Sequence, residues 1–231
     1  MTVSSQTVSH TGDYCCTSAK SGLRQAEQLA AESEQRTVTV GVLGLQGDFE
    51  KHLEMLRRLR DVMTVVVRSP EELQRCDGLI IPGGESTTVG KLMVRYGLDR
   101  AIKARAQQGM PIFGTCTGLI LLAREIEGSD QYRLGLMDIT VRRNAFGRQI
   151  DSFEIDLEIP AICDARPVRA VFIRAPIVSE VRGDVEVLAR LPDGKIVMVR
   201  QGNCLAAAFH PELTDDTRIH QHFVDVVRAQ T

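Results

Sequence analysis

The sequence has no tryptophan, and aromatic residues make up only 4% of its 231 residues. It has no basic run, and the formal net charge is −2. Nucleic-acid-binding chains carry a basic face and stacking aromatics, so that class is excluded. No apolar stretch reaches the roughly 20 residues that span a bilayer. Residues 1–6 lack the basic start and apolar centre of a secretion signal, and the expected location is the cytoplasm. Six cysteines occur, at 15, 16, 76, 116, 163 and 204. None forms a C-x-x-C pair or a Cys/His cluster with zinc spacing. In a reducing compartment they are free thiols, and most serve as small apolar side chains.

What is present reads as an α/β chain. Residues 1–36 are polar and small, and a disordered N-terminal extension is expected there. Its adjacent Cys15 and Cys16 are read as incidental thiols. Residues 37–231 then suit a single domain. Apolar runs at 37–45, 63–67, 77–82 and 110–113 alternate with helical patterns, which predicts buried parallel strands. Asp48 is placed to cap the first helix, with His52 on its exposed face, and Pro70 starts a second. Gly83-Gly84 leads into a helix that Ser86 or Thr87 can cap, and the exposed amides would suit an anion or carbonyl. Beyond residue 128 the pattern changes. Residues 153–159 alternate apolar and polar, as in a half-exposed antiparallel strand. Further strands are predicted near 139–143, 168–173, 185–190, 195–200 and 204–209, and a helix follows from about 214. The expected fold is a three-layer, open, mixed but mainly parallel sheet flanked by helices, flavodoxin-like, with added antiparallel strands in the C-terminal half.

The stretch Gly114-Thr115-Cys116-Thr117-Gly118 joins an apolar run to a helix former, Leu119 to Ala123. Strand, tight turn and helix with a nucleophile between them match a thiol version of the G-x-S-x-G nucleophile elbow. The glycines permit backbone approach that a Cβ would block. Cys116 would sit at a helix N-terminus, which favours thiolate, and nearby amides could hold an oxyanion. Taken alone, the pentapeptide suits a buried structural cysteine equally well.

A second feature tips the balance. The run 204–209 ends in His210-Pro211-Glu212. Proline biases His210 toward an extended conformation, in which residues two apart point the same way. Glu212 could then accept a hydrogen bond from His210 and orient it. Gln46, Gly83-Gly84, Cys116 and His210 all end apolar runs. In an open parallel sheet such ends share one edge, where ligands bind. His10, His52, His220 and His222 are weaker candidates. His220 and His222 are two apart on a helix and point in different directions.

These residues resemble the class I, triad-type glutamine amidotransferases. Within that class, the ordered motifs resemble the glutaminase subunits of pyridoxal 5′-phosphate synthase. They are Gly41 to Gln46-Gly47, Pro82-Gly83-Gly84-Glu85-Ser86 to Thr88, Arg143 to Gln149 with Asp151 to Glu154, Phe172-Ile173-Arg174 to Pro176, and Phe209 to Thr214. The resemblance implies that Cys116 attacks the carboxamide of L-glutamine, His210 moves the proton and Glu212 orients His210. It implies glutamine contacts at Gly84, Glu85, Ser86, Arg143, Ile173 and Arg174. Backbone amides near Gly84 and Thr117 would form the oxyanion hole, and Gln46 would couple the site to a partner. That partner is a separate (β/α)8-barrel synthase subunit in ring assemblies, which receives the ammonia through an internal channel. The family uses no cofactor and no metal in the glutaminase itself.

The chain departs from the family at Thr117, where alanine is usual, and in its 36-residue leader. Two other readings share the fold: a stand-alone thiol hydrolase of γ-glutamyl compounds, and a non-catalytic regulatory module. The intact Cys116, His210 and Glu212 oppose the second of these, and the Pro82–Thr88 and Arg143–Gln149 motifs oppose the first.

Overall fold

The first half of the chain alternates strands with helices, the order that builds crossovers between parallel strands. A computed structural model describes residues 36–146, 152–162 and 166–231. The polar extension with Cys15 and Cys16, Cys163, and residues 147–151 of the Arg143 motif lie outside the described residues. Strands β1 (Val38–Leu43), β2 (Val62–Val67), β3 (Gly78–Ile81) and β4 (Ile112–Thr115) come first. Helices α1 (Phe49–Arg57), α2 (Pro70–Leu73), α3 (Ser86–Arg95) and α4 (Leu98–Gln107) connect them. Helix α5 (Thr117–Leu122) runs directly into β5 (Ala123–Ile126) and then β6 (Met137–Arg142). Next come β7 (Ser152–Leu157), β8 (Val168–Ile173), β9 (Ile177–Val181), β10 (Glu186–Arg190), β11 (Ile196–Gln201) and β12 (Cys204–Ala207). A 3-10 turn, Pro211–Leu213, and helix α6 (Arg218–Arg228) close the chain.

One sheet has the order β2-β1-β3-β4-β12-β11-β9-β6-β5, with β10 paired to β11. The five strands from β2 to β12 are parallel. The pairs β12–β11, β11–β9 and β9–β6 are antiparallel. Helices α1 and α6 pack on each other and on β1, whereas α3 packs on α4 and α5. The expected mixed sheet with flanking helices is therefore what forms. Its decisive pairing is β12 with β4, which sets Ala207 opposite Thr115. The chain leaves both strands at the same level, so residues about 95 apart in sequence emerge side by side. Strands β7 and β8 form a separate antiparallel ribbon with alternating exposure on β7.

Four local expectations change. Strand β2 is an edge strand and is only partly buried, because β1 covers just one of its sides. Strands β5 and β9 had no separate signal, since each is short and β5 continues an apolar helix without a break. Asp48 precedes α1, but its side chain makes no capping bond. The cap of α3 is Glu85, whose carboxylate accepts from the amides of Thr87 and Thr88 at 3.1 and 2.7 Å. Ser86 is then the first helical residue. The Ser69-Pro70 start forms as a complete capping box with Glu72.

Candidate active site

Cys116 stands between β4 and α5 with φ 49° and ψ −96°. That backbone is strained for a residue with a side chain, and such strain persists only where the surroundings impose it. Here Cys116 N–H donates to Ala207 O at 2.8 Å, and its carbonyl accepts from Ile120 N–H at 3.3 Å. Gly118 permits the turn: a Cβ there would stand 2.3 Å from Ile81 O. Leu119, Leu121 and Leu122 are fully buried behind the elbow. Each contributes roughly 1.5–3 kcal/mol of burial that anchors the strained residue.

His210 leaves β12 beside it. Its amide donates to Val171 O in β8 at 2.8 Å. Its Nδ1 lies 2.7 Å from Glu212 Oε1, and the ring and Cys116 line the same cavity. With Nδ1 occupied, the nitrogen left for the thiol is Nε2. Burial opposes charge on His210, but its Cys116 and Glu212 neighbours outweigh it and push the pKa up to about 10. Burial also works against the Glu212 carboxylate. Its histidine neighbours, with the bond from His210, nonetheless hold it below the ordinary carboxylate value. Glu212 reaches His210 from a 3-10 turn rather than from the expected extended segment. The spacing of two survives this change, because the turn folds Glu212 back beneath the ring.

Cys116 and His210 line a cavity of about 450 Å³. Gln46, Gly84, Glu85, Ser86, Arg143, Ile173 and Arg174 line it too, so nine of the eleven expected site residues meet there. Glu212 lies behind His210. Thr117 lies behind Gly84, where its hydroxyl donates to Gly84 O at 2.5 Å. The next amide, Glu85 N–H, donates to Gln46 Oε1 at 2.7 Å. The Gly84–Glu85 peptide is thus held from both sides. Burial raises the Glu85 pKa, but the Thr87 and Thr88 donors overcome this and hold it at about 2. Glu85 is therefore ionised while it caps α3.

Several cavity features were not anticipated. Asp48, Asn144 and Leu213 also line it, beside the expected Gly83. Of the four non-glycine residues with positive φ among the described residues, Cys116, Asn144 and Arg174 all face this space. Gln131 accepts from the Arg143 guanidinium, and its amide nitrogen donates to Ser86 Oγ at 3.0 Å. Gln131 sits in an irregular loop with no motif to mark it. His52 is not exposed: it is completely buried, as is His220. The signal was available in the helical spacing. His52 shares a face with Phe49, Met55 and Leu56, and His220 with Phe223, Val224 and Val227.

An open parallel sheet with a strained cysteine elbow against a buried His–Glu pair has the parts of a thiol-dependent amidase of the glutamine amidotransferase class. The chain belongs to the SNO glutamine amidotransferase family, whose sequence profile matches residues 42–229. It is 57% identical over 188 residues to the pyridoxal 5′-phosphate synthase subunit PdxT of Carboxydothermus hydrogenoformans, covering 81% of this chain and 97% of that protein. It is 59% identical over 191 residues to the PdxT of Pelotomaculum thermopropionicum, covering 82% and 96%. A solved glutamine amidotransferase structure matches with TM-score 0.77 at 49% identity, covering 81% of this chain and 98% of that one. The PurLQS structure from Thermotoga maritima, at 18% identity and TM-score 0.59, shares the fold.

Proposed function

We propose that this protein hydrolyses L-glutamine to L-glutamate and ammonia and delivers the ammonia to the synthase subunit that forms pyridoxal 5′-phosphate. The single observation that carries this reading is the Cys116–His210–Glu212 arrangement at a cavity whose rim holds Arg143 and Arg174. The family membership and the relatives' names support it.

In this reading the guanidinium of Arg143, steadied by Gln131, clamps the substrate carboxylate, and Arg174 adds a second cation nearby. Ile173 packs against the aliphatic part of glutamine, and Gly84, Glu85 and Ser86 form the facing wall. The proton shared by Cys116 and His210 rests on His210 in the reactive form, and the Sγ thiolate bonds to the amide carbon. Backbone amides at Gly84 and Thr117 receive the oxyanion. His210 then gives its proton to the departing nitrogen as the C–N bond breaks, leaving a glutamyl thioester and ammonia. Water, deprotonated by His210, cleaves the thioester and restores the thiol. Glu212 keeps the imidazole oriented and stabilises its charged form. Gln46, bonded to the Glu85 amide at the cavity rim, is the group through which docking reaches the site.

The partner is a (β/α)8-barrel synthase subunit in a ring assembly, and ammonia passes to it internally. No helix among the described residues is long and apolar enough to cross a membrane, and the working location is the cytoplasm. The polar residues 1–36 form an extension outside the glutaminase domain at 37–231. Ammonia release from glutamine, measured with and without the synthase subunit, tests the proposal. Stimulation by the synthase is expected, with loss of about 10³-fold or more in Cys116→Ala. Activity that survives Cys116→Ala overturns the mechanism. Turnover indifferent to the synthase points to a stand-alone hydrolase.

A further inference from the structure

Only one carboxylate oxygen of Glu212 serves His210. The other, Oε2, is sealed from solvent and makes no regular hydrogen bond. The group facing it is Nε2 of His52, 3.3 Å away, and neither side chain has exposed surface. The same Nε2 lies 3.1 Å from Oγ1 of Thr115, the residue before the nucleophile. On the far side of the ring, His52 Nδ1 lies 3.0 Å from Nε2 of His220. Helices α1 and α6, the end of β4 and the turn after β12 therefore converge on one buried chain of polar atoms. It runs from Cys116 through His210, Glu212 and His52 to His220.

The proton positions follow from counting donors. Burial pulls the pKa of His52 below its ordinary value and that of His220 down to about 3. At neutral pH each ring thus carries one proton. Suppose His52 held its proton on Nδ1. Its Nε2 lone pair would then face the Glu212 carboxylate. His220 would have to accept at Nε2 and carry its own proton on Nδ1, which is buried without a partner. An unpaired buried donor costs about 1–3 kcal/mol. With both protons on Nε2, neither penalty arises. His220 Nε2–H donates to His52 Nδ1. His52 Nε2–H is then shared between Thr115 Oγ1 and the charged Oε2 of Glu212. Within these two rings the atom left unpaired is the His220 Nδ1 lone pair, and an orphaned acceptor is more readily tolerated than an orphaned donor.

We infer that His52 and His220 are positioning residues for the glutaminase reaction: a neutral two-histidine relay that holds the second oxygen of Glu212 and, through it, the aim of His210 at Cys116. His220 sets which nitrogen of His52 bears the proton, and His52 spends that proton on the carboxylate. The inference rests on the reading of Glu212 as the orienting group of the triad. Thr115 makes the contact geometrically strict, since it ties the relay to the residue adjoining the nucleophile. Besides Glu212 and His210, the charged group that bears on His52 is Asp48, at the start of its own helix.

Two measurements test this on the full chain. In the 15N-labelled wild-type protein, long-range 1H–15N correlation spectra should show both rings as neutral Nε2–H tautomers at about pH 7 to 8. A protonated His52, or its Nδ1–H tautomer, overturns the inference whatever the activity. In glutaminase assays with the synthase subunit present, His52→Leu should lower kcat roughly tenfold, with KM for glutamine within about twofold. The alkaline limb of its pH profile should move to higher pH, because Glu212 without that donor is the stronger acceptor for the His210 proton. His52→Gln, which can place an amide N–H near the lost donor, should recover most of both. A folded His52→Leu with unchanged kcat and limb, or a folded His52→Gln with no recovery, overturns the relay. If His52→Leu does not fold, His220→Gln decides: retention of the His52 Nε2–H tautomer supports the relay, and its loss with unchanged kcat overturns it. A failed triad reading looks different, because turnover would survive Cys116→Ala while the tautomers stay readable.

Discussion

The backbone of Gly83 lies so close to His210 that a β-carbon there would stand 2.4 Å from Cε1 and 3.1 Å from Nδ1 of the ring. Gly83 is the wall against which the imidazole rests while it holds Cys116 on one side and Glu212 on the other. Gly83→Ala should therefore displace the ring rather than the sheet. A misplacement of about 1 Å costs on the order of 10²-fold in rate. That loss is expected in kcat, with a melting temperature close to the parent's. A Gly83→Ala protein with parental kcat would show that His210 works from some other position.

Glu212→Gln removes the charge and keeps the shape. The His210 pKa of about 10 owes part of its rise to that carboxylate. Without it the value should fall toward the ordinary 6.5, and the alkaline limb of kcat/KM should shift down with it. A comparable substitution in a serine triad costs about 10⁴-fold, and a loss of at least 10²-fold is expected here. An unshifted limb would separate Glu212 from the protonation of His210.

Acid should destabilise the fold through its buried histidines. His52 and His220 have folded pKa values below the ordinary 6.5, His220 at about 3. Each is neutral when folded and takes up a proton on unfolding as the pH drops under 6.5. Their contribution to stability is complete above that value and is lost as the pH falls toward the folded pKa. Between about pH 6 and its folded value His220 adds a slope on the order of 1 kcal/mol per pH unit, and His52 adds to the loss in the same direction. Glu212, with its lowered pKa, adds to the loss at lower pH still. His210 has the opposite sign: its raised pKa stabilises the fold below 6.5, and that share fades as the pH rises through about 10. Urea midpoints between about pH 7 and 5 measure the acid slope. His220→Leu should flatten it.

Thr117→Val tests the threonine beside the nucleophile. Its hydroxyl donates to Gly84 O at 2.5 Å, and valine keeps the branch but not the donor. A neutral hydrogen bond contributes about 1 kcal/mol, and the stranded carbonyl adds to the loss. Stability should drop by about 1–2 kcal/mol, and KM for glutamine should rise about fivefold as the Gly84–Glu85 peptide loosens. Thr117→Ser should restore both. An unchanged KM in the valine variant would remove Thr117 from the glutamine-facing wall.

Much of this site is legible in the sequence, because its parts are local signals. The glycine-flanked Cys116 marks a tight strand-to-helix turn. His210-Pro211-Glu212 brings base and carboxylate within three residues. The apolar runs that end in Gln46, Gly83, Cys116 and His210 share an edge once they are taken as parallel strands. Cap chemistry was harder to read: Glu85 outcompetes Ser86 for the α3 amides, since a carboxylate two and three residues before them can accept from both. Gln131 carried no signal at all, because its role is set by where Arg143 and Ser86 happen to lie.

By itself the sequence determined the elbow, the His–Glu pair and the alternation of strands and helices, since each depends on neighbours within a few residues. Only the tertiary structure decided that β12 pairs with β4 and so sets His210 against Cys116. It alone decided that His52 and His220, 168 residues apart, meet behind Glu212. Helical spacing places each histidine on a buried face, but no pattern within one helix states what the opposing helix brings to it. Burial then removes water as a hydrogen-bond partner, and the two rings must satisfy each other and the carboxylate between them and the nucleophile.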